Sequence, residues 1–218
     1  MIASTDSSSR AQTFGEELAN SISHGVALLA SAAAIPVLIS DATSERGVAG
    51  VIGASVFGAT MLFLYLVSTV YHALPAGKAK RVFLLVDHCA IFLLIAGTYT
   101  PFTLGVLRGS WGWTLLGMVW GLAVFGIVLK TVVGTSYQGL SIGLYLAMGW
   151  LVLIAAQPVL DAVPAPGLLW LLVGGLAYTL GVAFFIVDSR VRFAHTLWHL
   201  FVVVGSCCHF VAVFRYAA

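Results

Sequence analysis

The chain has 218 residues, of which 61% are hydrophobic and only 8% charged, and its formal net charge is +2. A soluble domain carries about 25% charged residues, so this composition excludes a free-standing water-soluble protein and requires the hydrocarbon of a bilayer to cover the apolar excess. The basic residues are scattered among polar breaks and form no stripe, which excludes nucleic acid as a partner.

The opening stretch, MIASTDSSSRAQ, is polar and Ser-rich, and residues 1–15 are expected to form a disordered cytoplasmic tail. Glu16 and Glu17 precede the first apolar run where a signal peptide would carry basic residues, so no cleaved leader is expected. A helix needs about 20 apolar residues to cross ~30 Å of hydrocarbon. Seven such runs are predicted, at residues 18–40, 48–74, 82–107, 111–130, 139–157, 167–187 and 194–216. They are too long and too continuously apolar for the alternating strands of a barrel. Backbone groups in lipid must be paired within their own segment, so each run is read as a helix.

Polar breaks separate the runs: DATSER at 41–46, PAGKAKR at 75–81, RGS at 108–110, the stretch 135–138, PVLDAVPAP at 158–166 and DSRVR at 188–192. The RGS break is short enough to make the third and fourth helices a tight hairpin. Thr98, Tyr99, Thr100, Pro101 and Phe102 are expected to kink the third helix. Trp111, Trp113, Trp150, Trp170 and Tyr216 fall near predicted helix ends and read as interfacial anchors. Cys89, Cys207 and Cys208 lie within apolar runs and read as small packing residues. The fold class is therefore all-α: residues 16–218 form one polytopic seven-helix domain with no internal repeat.

With seven spans, the N-terminus shares a side with the second, fourth and sixth breaks. That side holds Arg10, Lys78, Lys80, Arg81, Lys130, Arg190 and Arg192, against Arg46, Arg108 and Arg215 on the other. Cytoplasmic loops carry the excess of Lys and Arg. The N-terminus is accordingly expected in the cytoplasm and the C-terminus outside, in a multi-pass protein of the inner (plasma) membrane.

Ionisable residues within membrane helices are costly and mark function by default. His72 ends the second helix, Asp87 lies in the first turns of the third, and His195 and His199 open the seventh, all on the expected cytoplasmic side. His24 sits near the same side of the first helix, after Glu17 and Asn20. His195 and His199 are spaced i, i+4, which puts both imidazoles on one helix face. Such a pair is either a metal chelate or two stacked packing residues. With His72 it would supply three nitrogen ligands and leave a fourth position open, the arrangement of catalytic zinc sites. Asp87 could fill that position, take a proton from water there, or pair with Arg81 or Arg192. Ser68, one turn before His72, could orient water or a substrate carbonyl. His88 and His209 read as interfacial or helix–helix hydrogen-bonding residues.

Four pieces together resemble a known family: ELANSISHG at 17–25, STVYH at 68–72, Asp87-His88 with IFLLIAGTYTPF from Ile91, and HTLWHLFVVVGSCCHF at 195–210. The chain resembles the hemolysin III family, the bacterial branch of the progestin and adipoQ receptor (PAQR) proteins, over nearly its whole length. The resemblance implies a seven-helix fold with a cytoplasmic N-terminus and a zinc ion near the cytoplasmic side. The family's three histidine ligands match His72, His195 and His199, its acid matches Asp87 and its serine matches Ser68. Glu17, Asn20 and His24 match a first-helix motif and are assigned a role in supporting the ligands. Eukaryotic relatives look like receptors with zinc-dependent amide hydrolysis of ceramide-like lipids, whereas bacterial ones are named for hemolysis and linked to membrane fluidity. The expectation is a zinc-dependent hydrolase of a membrane lipid or fatty-acyl amide or ester. A non-enzymatic sensor with structural zinc and a pore-forming hemolysin are the alternatives.

Overall fold

The computed structural model describes residues 10–45, 47–134 and 137–217. Residues 1–9 of the expected tail lie outside the described residues, as do Arg46, Thr135 and Ser136. The chain is helical throughout: α1 (Phe14–Glu45), α2 (Gly47–Ala73), α3 (Lys78–Leu104), α4 (Ser110–Val133), α5 (Gln138–Gly149), α6 (Ala156–Ala162), α7 (Ala165–Val187) and α8 (Ala194–Tyr216). Among the described residues, seven segments are long and apolar enough to cross a membrane, the fifth running through both α5 and α6. Neighbours in sequence pack as neighbours in space, and α8 closes back onto α1. α2, α3 and α8 are the most enclosed, whereas α4 and the fifth span turn most of their surface outward, where apolar side chains meet lipid.

Close helix approach sets this packing, because lipid offers no hydrophobic drive for apolar helices to associate. Gly53 on α2 lies against Pro101 on α3, where a Cβ would come 2.7 Å from the proline Cα. Gly97 lies against Thr60, so the two helices touch along glycine steps from both sides. α3 runs on through Pro101 to Leu104, and the hydroxyls of Thr98, Thr100 and Thr103 fold back onto carbonyls one turn earlier.

α1 starts earlier than the hydropathy suggested, and the reason is local. Thr13 and Glu16 form a capping box: the Glu16 N–H donates to Thr13 Oγ1 at 3.4 Å, and the Thr13 N–H donates to Glu16 Oε2 at 2.9 Å. Arg10 is tied down as well, its backbone N–H donating to Ser189 O at 3.0 Å. Residues 10–13 therefore lie across the turn between α7 and α8.

The fifth span departs from the sequence reading. It was expected as one helix over residues 139–157 followed by a polar loop. Instead α5 stops at Gly149, Leu151–Ala155 tightens into a 3-10 turn, and α6 continues to Ala162. Pro158 lies in the first turn of α6, where its missing N–H is tolerated. Gln157 and Asp161 satisfy one another across one helical turn at 2.8 Å, so the polar stretch stays helical. The break frees backbone groups inside an apolar layer, which must find partners. Tyr99 supplies them: its hydroxyl reaches the carbonyls of Met148 and Gly149 at 2.9 Å each and accepts the Val152 N–H at 3.0 Å. Trp150, expected to be an interfacial anchor, sits in this break with its indole N–H on Thr179 Oγ1 at 3.1 Å.

Candidate metal centre

The topology brings the end of α2, the start of α3 and the start of α8 to one end of the bundle, with α1 between α2 and α8. There His72, His195 and His199 gather: one ring nitrogen from each lies within 4.8 Å of the other two. Ring centroids are 5.1 Å apart for His72 and His195, 5.0 Å for His72 and His199, and 4.7 Å for His195 and His199.

Each of the three imidazoles is held from behind through Nδ1. His72 Nδ1 lies 2.8 Å from Glu17 Oε2, and His195 Nδ1 lies 2.7 Å from Asp188 Oδ2. His199 Nδ1 is 3.2 Å from the Asn20 carbonyl oxygen and 3.2 Å from Ser23 Oγ. A carboxylate or carbonyl at Nδ1 requires the proton there and leaves Nε2 with a free lone pair, the tautomer a metal ligand needs. The Nε2 of His72 is buried and has no hydrogen-bond partner. A buried nitrogen left without a partner is destabilising unless something else occupies its lone pair. Three imidazoles whose Nδ1 atoms are engaged fit a zinc ion or another transition metal, and three protein ligands leave a position for water or substrate.

The other residues singled out from the sequence surround this triad. Glu17 also pairs with Lys80 at 2.9 Å, and Asn20 accepts the Thr196 hydroxyl at 2.5 Å while its amide donates to Gln12 at 2.7 Å. His24 stacks flat on His199 with centroids 3.5 Å apart, and its Nδ1 lies 2.8 Å from Ser68 Oγ. Asp87 is buried beside Ser68 and within electrostatic reach of His195. Among the described residues it makes no ion pair with Arg81 or Arg192. His24, Ser68, Asp87 and His199 share the wall of a cavity of about 110 Å³. A second cavity of about 390 Å³, with a mainly apolar lining, shares Thr98, Tyr99, Gly149, Trp150, Gly175 and His209 with the first. The pair leads from the metal end toward the opposite end of the bundle. His209 makes the expected helix–helix bond, Nε2 to Leu171 O at 3.3 Å.

Two acidic residues essential to this geometry escaped the sequence reading. In the sequence Asp188 reads only as part of the polar break 188–192, although a carboxylate seven residues before a candidate histidine ligand is a signal for a partner to its imidazole. Glu16 is 2% exposed and accepts both Arg10 guanidinium nitrogens at 2.6 Å, which holds the guanidinium pKa up. It also accepts the Phe193 N–H at 2.9 Å. Phe193 precedes α8 at φ 60°, a left-handed conformation that a bulky residue seldom adopts unless it is held there. Glu16 thus fixes the start of the helix that carries His195 and His199. The pattern Thr13-x-x-Glu16 was its visible signal.

Residues 12–210 match the protein family described as Haemolysin-III related. "Hemolysin-3" of Bacillus cereus is 41% identical over 201 residues, covering 92% of this chain and 91% of that one. The "Hemolysin-3 homolog" of Bacillus subtilis (strain 168) is 42% identical over 204 residues, with 94% and 95% coverage. The human "Monocyte to macrophage differentiation factor" is 32% identical over 174 residues, with 76% and 70% coverage. The human relative falls among the progestin and adipoQ receptor proteins. The chain therefore belongs to the haemolysin III family of that superfamily.

Proposed function

We propose that the protein is a zinc-dependent hydrolase of a lipid amide or ester that contributes to membrane-lipid homeostasis. One observation carries the reading: three imidazoles held through Nδ1 stand together, and one of them, His199, lines an apolar cavity whose wall also presents the Asp87 carboxylate and the Ser68 hydroxyl. His72, His195 and His199 would hold the ion. When bound, zinc supplies Lewis-acid polarisation of a carbonyl and activation of water near neutral pH. Asp87 takes the proton of the attacking water and passes it to the departing amine or alcohol. Ser68, hydrogen-bonded to His24, donates to the substrate carbonyl oxygen and to the charge that develops on it. The acyl chain lies in the paired cavities. By the excess of Lys and Arg at the metal end, that end faces the cytoplasm.

The test compares metal content and turnover in detergent-purified protein. Asp87→Ala is expected to lower turnover of a long-chain lipid amide or ester at least ~100-fold, within the range of general-base catalysis, with its zinc retained. The double variant His195→Ala/His199→Ala is expected to lose the zinc. Undiminished turnover in Asp87→Ala would sink the assigned role.

A second reading rests on where the ligands come from. They belong to α2 and α8, and three of the residues behind them, Glu17, Asn20 and Ser23, belong to α1, so a bound ion would join three helices. In a non-enzymatic sensor the same ion is a staple. The histidine variants would then lose stability with no turnover to lose.

A further inference from the structure

Lys130 is the feature of the bundle that the metal centre leaves unused. It lies in the last turn of α4, three residues before Val133. A lysine there ordinarily runs its stem along the helix and places its ammonium in water. Here the residue is only 2% exposed. An ammonium carries three donors, and the hydrogen bond given to it in the protein goes to Ser141 Oγ at 3.1 Å. The ion pairs of the described residues join Arg10 with Glu16, Glu17 with His72 and Lys80, and Asp188 with His195, and none reaches Lys130. A buried cation without a counter-charge is strongly unfavourable, the more so beside lipid.

A second buried group without a hydrogen-bond partner lies on α3. His88 on α3 is within electrostatic reach of Lys130, and its Nδ1 is buried without a hydrogen-bond partner. The Tyr145 hydroxyl donates to the His88 carbonyl at 2.8 Å and fixes α5 against α3 at this level. Ammonium, imidazole and hydroxyl thus come from α4, α3 and α5 where the three helices meet. His88 follows Asp87 directly, so its side chain leaves α3 about 100° around the axis from the one that lines the metal-end cavity. On the outer flank Cys89 is half-buried and Val132 and Leu140 are exposed, so the approach is from the bilayer.

We propose that Lys130, Ser141 and His88 form a binding site for the phosphate of an anionic membrane lipid, which supplies the missing counter-charge. A phosphate oxygen accepts from the ammonium and an imidazole N–H, and from the Ser141 hydroxyl when it turns from the Tyr137 carbonyl, to which it donates at 3.5 Å, and anionic headgroups are concentrated at the cytoplasmic surface. The site uses none of the three candidate metal ligands, although His88 is also within electrostatic reach of His72 and His195, and the proposal does not depend on the hydrolytic reading.

The test counts bound lipid by native mass spectrometry on the full chain released from neutral detergent. The probes are dioctanoyl phosphatidylglycerol, dioctanoylglycerol with the same tails and no phosphate, and inorganic phosphate as competitor. Wild-type protein is expected to retain phosphatidylglycerol and not dioctanoylglycerol, and Lys130→Met to bind the phospholipid at least tenfold more weakly. Lys130→Met is also expected to melt no lower than wild type without lipid, because it removes an unpaired buried charge. Ser141→Ala, which disturbs packing least, is expected to weaken binding in the same direction and serves if Lys130→Met does not fold. Equal phospholipid binding in either variant overturns the proposal, as does equal binding of dioctanoylglycerol. Displacement of the lipid by an equal concentration of inorganic phosphate also overturns it, since the ligand would then be a free anion.

Discussion

At the scale of single residues, the candidate metal centre is defined as much by what stands behind the imidazoles as by the imidazoles themselves. The three histidines were legible in the sequence, because metal binding restricts residue type and because i, i+4 spacing on a helix fixes direction. Asp188 was not, since no periodicity describes the turn that carries it back to His195. Its bond to Nδ1 at 2.7 Å chooses the tautomer and the ring orientation. Losing such a partner typically costs 10–100-fold in metal affinity. Asp188→Asn keeps the volume and can still accept at its amide oxygen, but it removes the negative charge that makes the imidazole a stronger donor. Zinc affinity measured by competition with a chromogenic chelator is therefore expected to fall about tenfold in Asp188→Asn and nearer 100-fold in Asp188→Ala. Unchanged affinity in both would mean that His195 needs no orientation by its neighbour.

At the scale of helices, hydropathy located the spans, and α8 begins and ends where the apolar run does. It failed inside the fifth span because every residue around the break is apolar, and hydropathy carries no information on which backbone groups are paired. What permits the break is a side chain on a different helix. The Tyr99 hydroxyl shares its one proton between two carbonyls and accepts one N–H. Leaving buried backbone groups unsatisfied costs about 1–3 kcal/mol each, and the freed groups can recover part of that with water entering the adjoining cavity. Tyr99→Phe, which removes only the hydroxyl, is expected to destabilise the protein by about 2–4 kcal/mol, from the loss of these partners. The measurement is thermal or denaturant unfolding in detergent. Zinc content is expected to stay constant, because Tyr99 lies in the later half of α3, away from the metal end. A parallel loss of metal would show that the break and the metal centre are coupled.

At the scale of the whole molecule, the enclosed helices α2, α3 and α8, with the first turns of α1, carry the polar groups of the candidate metal end, and two adjoining apolar cavities extend from beside it toward the other end of the bundle. The convergence of His72, Asp87 and the His195–His199 pair could be inferred from topology alone, since antiparallel spans put alternate helix ends on one side. The cavities could not, because empty space depends on how helices lean apart and not on the identity of any one residue. Gly175 on α7 is where this geometry can be tested. It lines both cavities, and a Cβ placed there would meet only the Trp150 ring, at 4.0 Å. The position therefore has room for a Cβ, from which a ring would extend into the space that both cavities share. Gly175→Phe is expected to fold with its zinc intact and to close the passage between the two cavities. If the acyl chain runs through that passage, hydrolysis of a long-chain substrate should fall at least about tenfold, while a substrate whose chain ends before the constriction keeps its rate. The discrimination follows from steric exclusion of part of the chain from its apolar site. Equal rates on both chain lengths, or an equal loss on both, would place the chain elsewhere and leave the larger cavity as a void between helices.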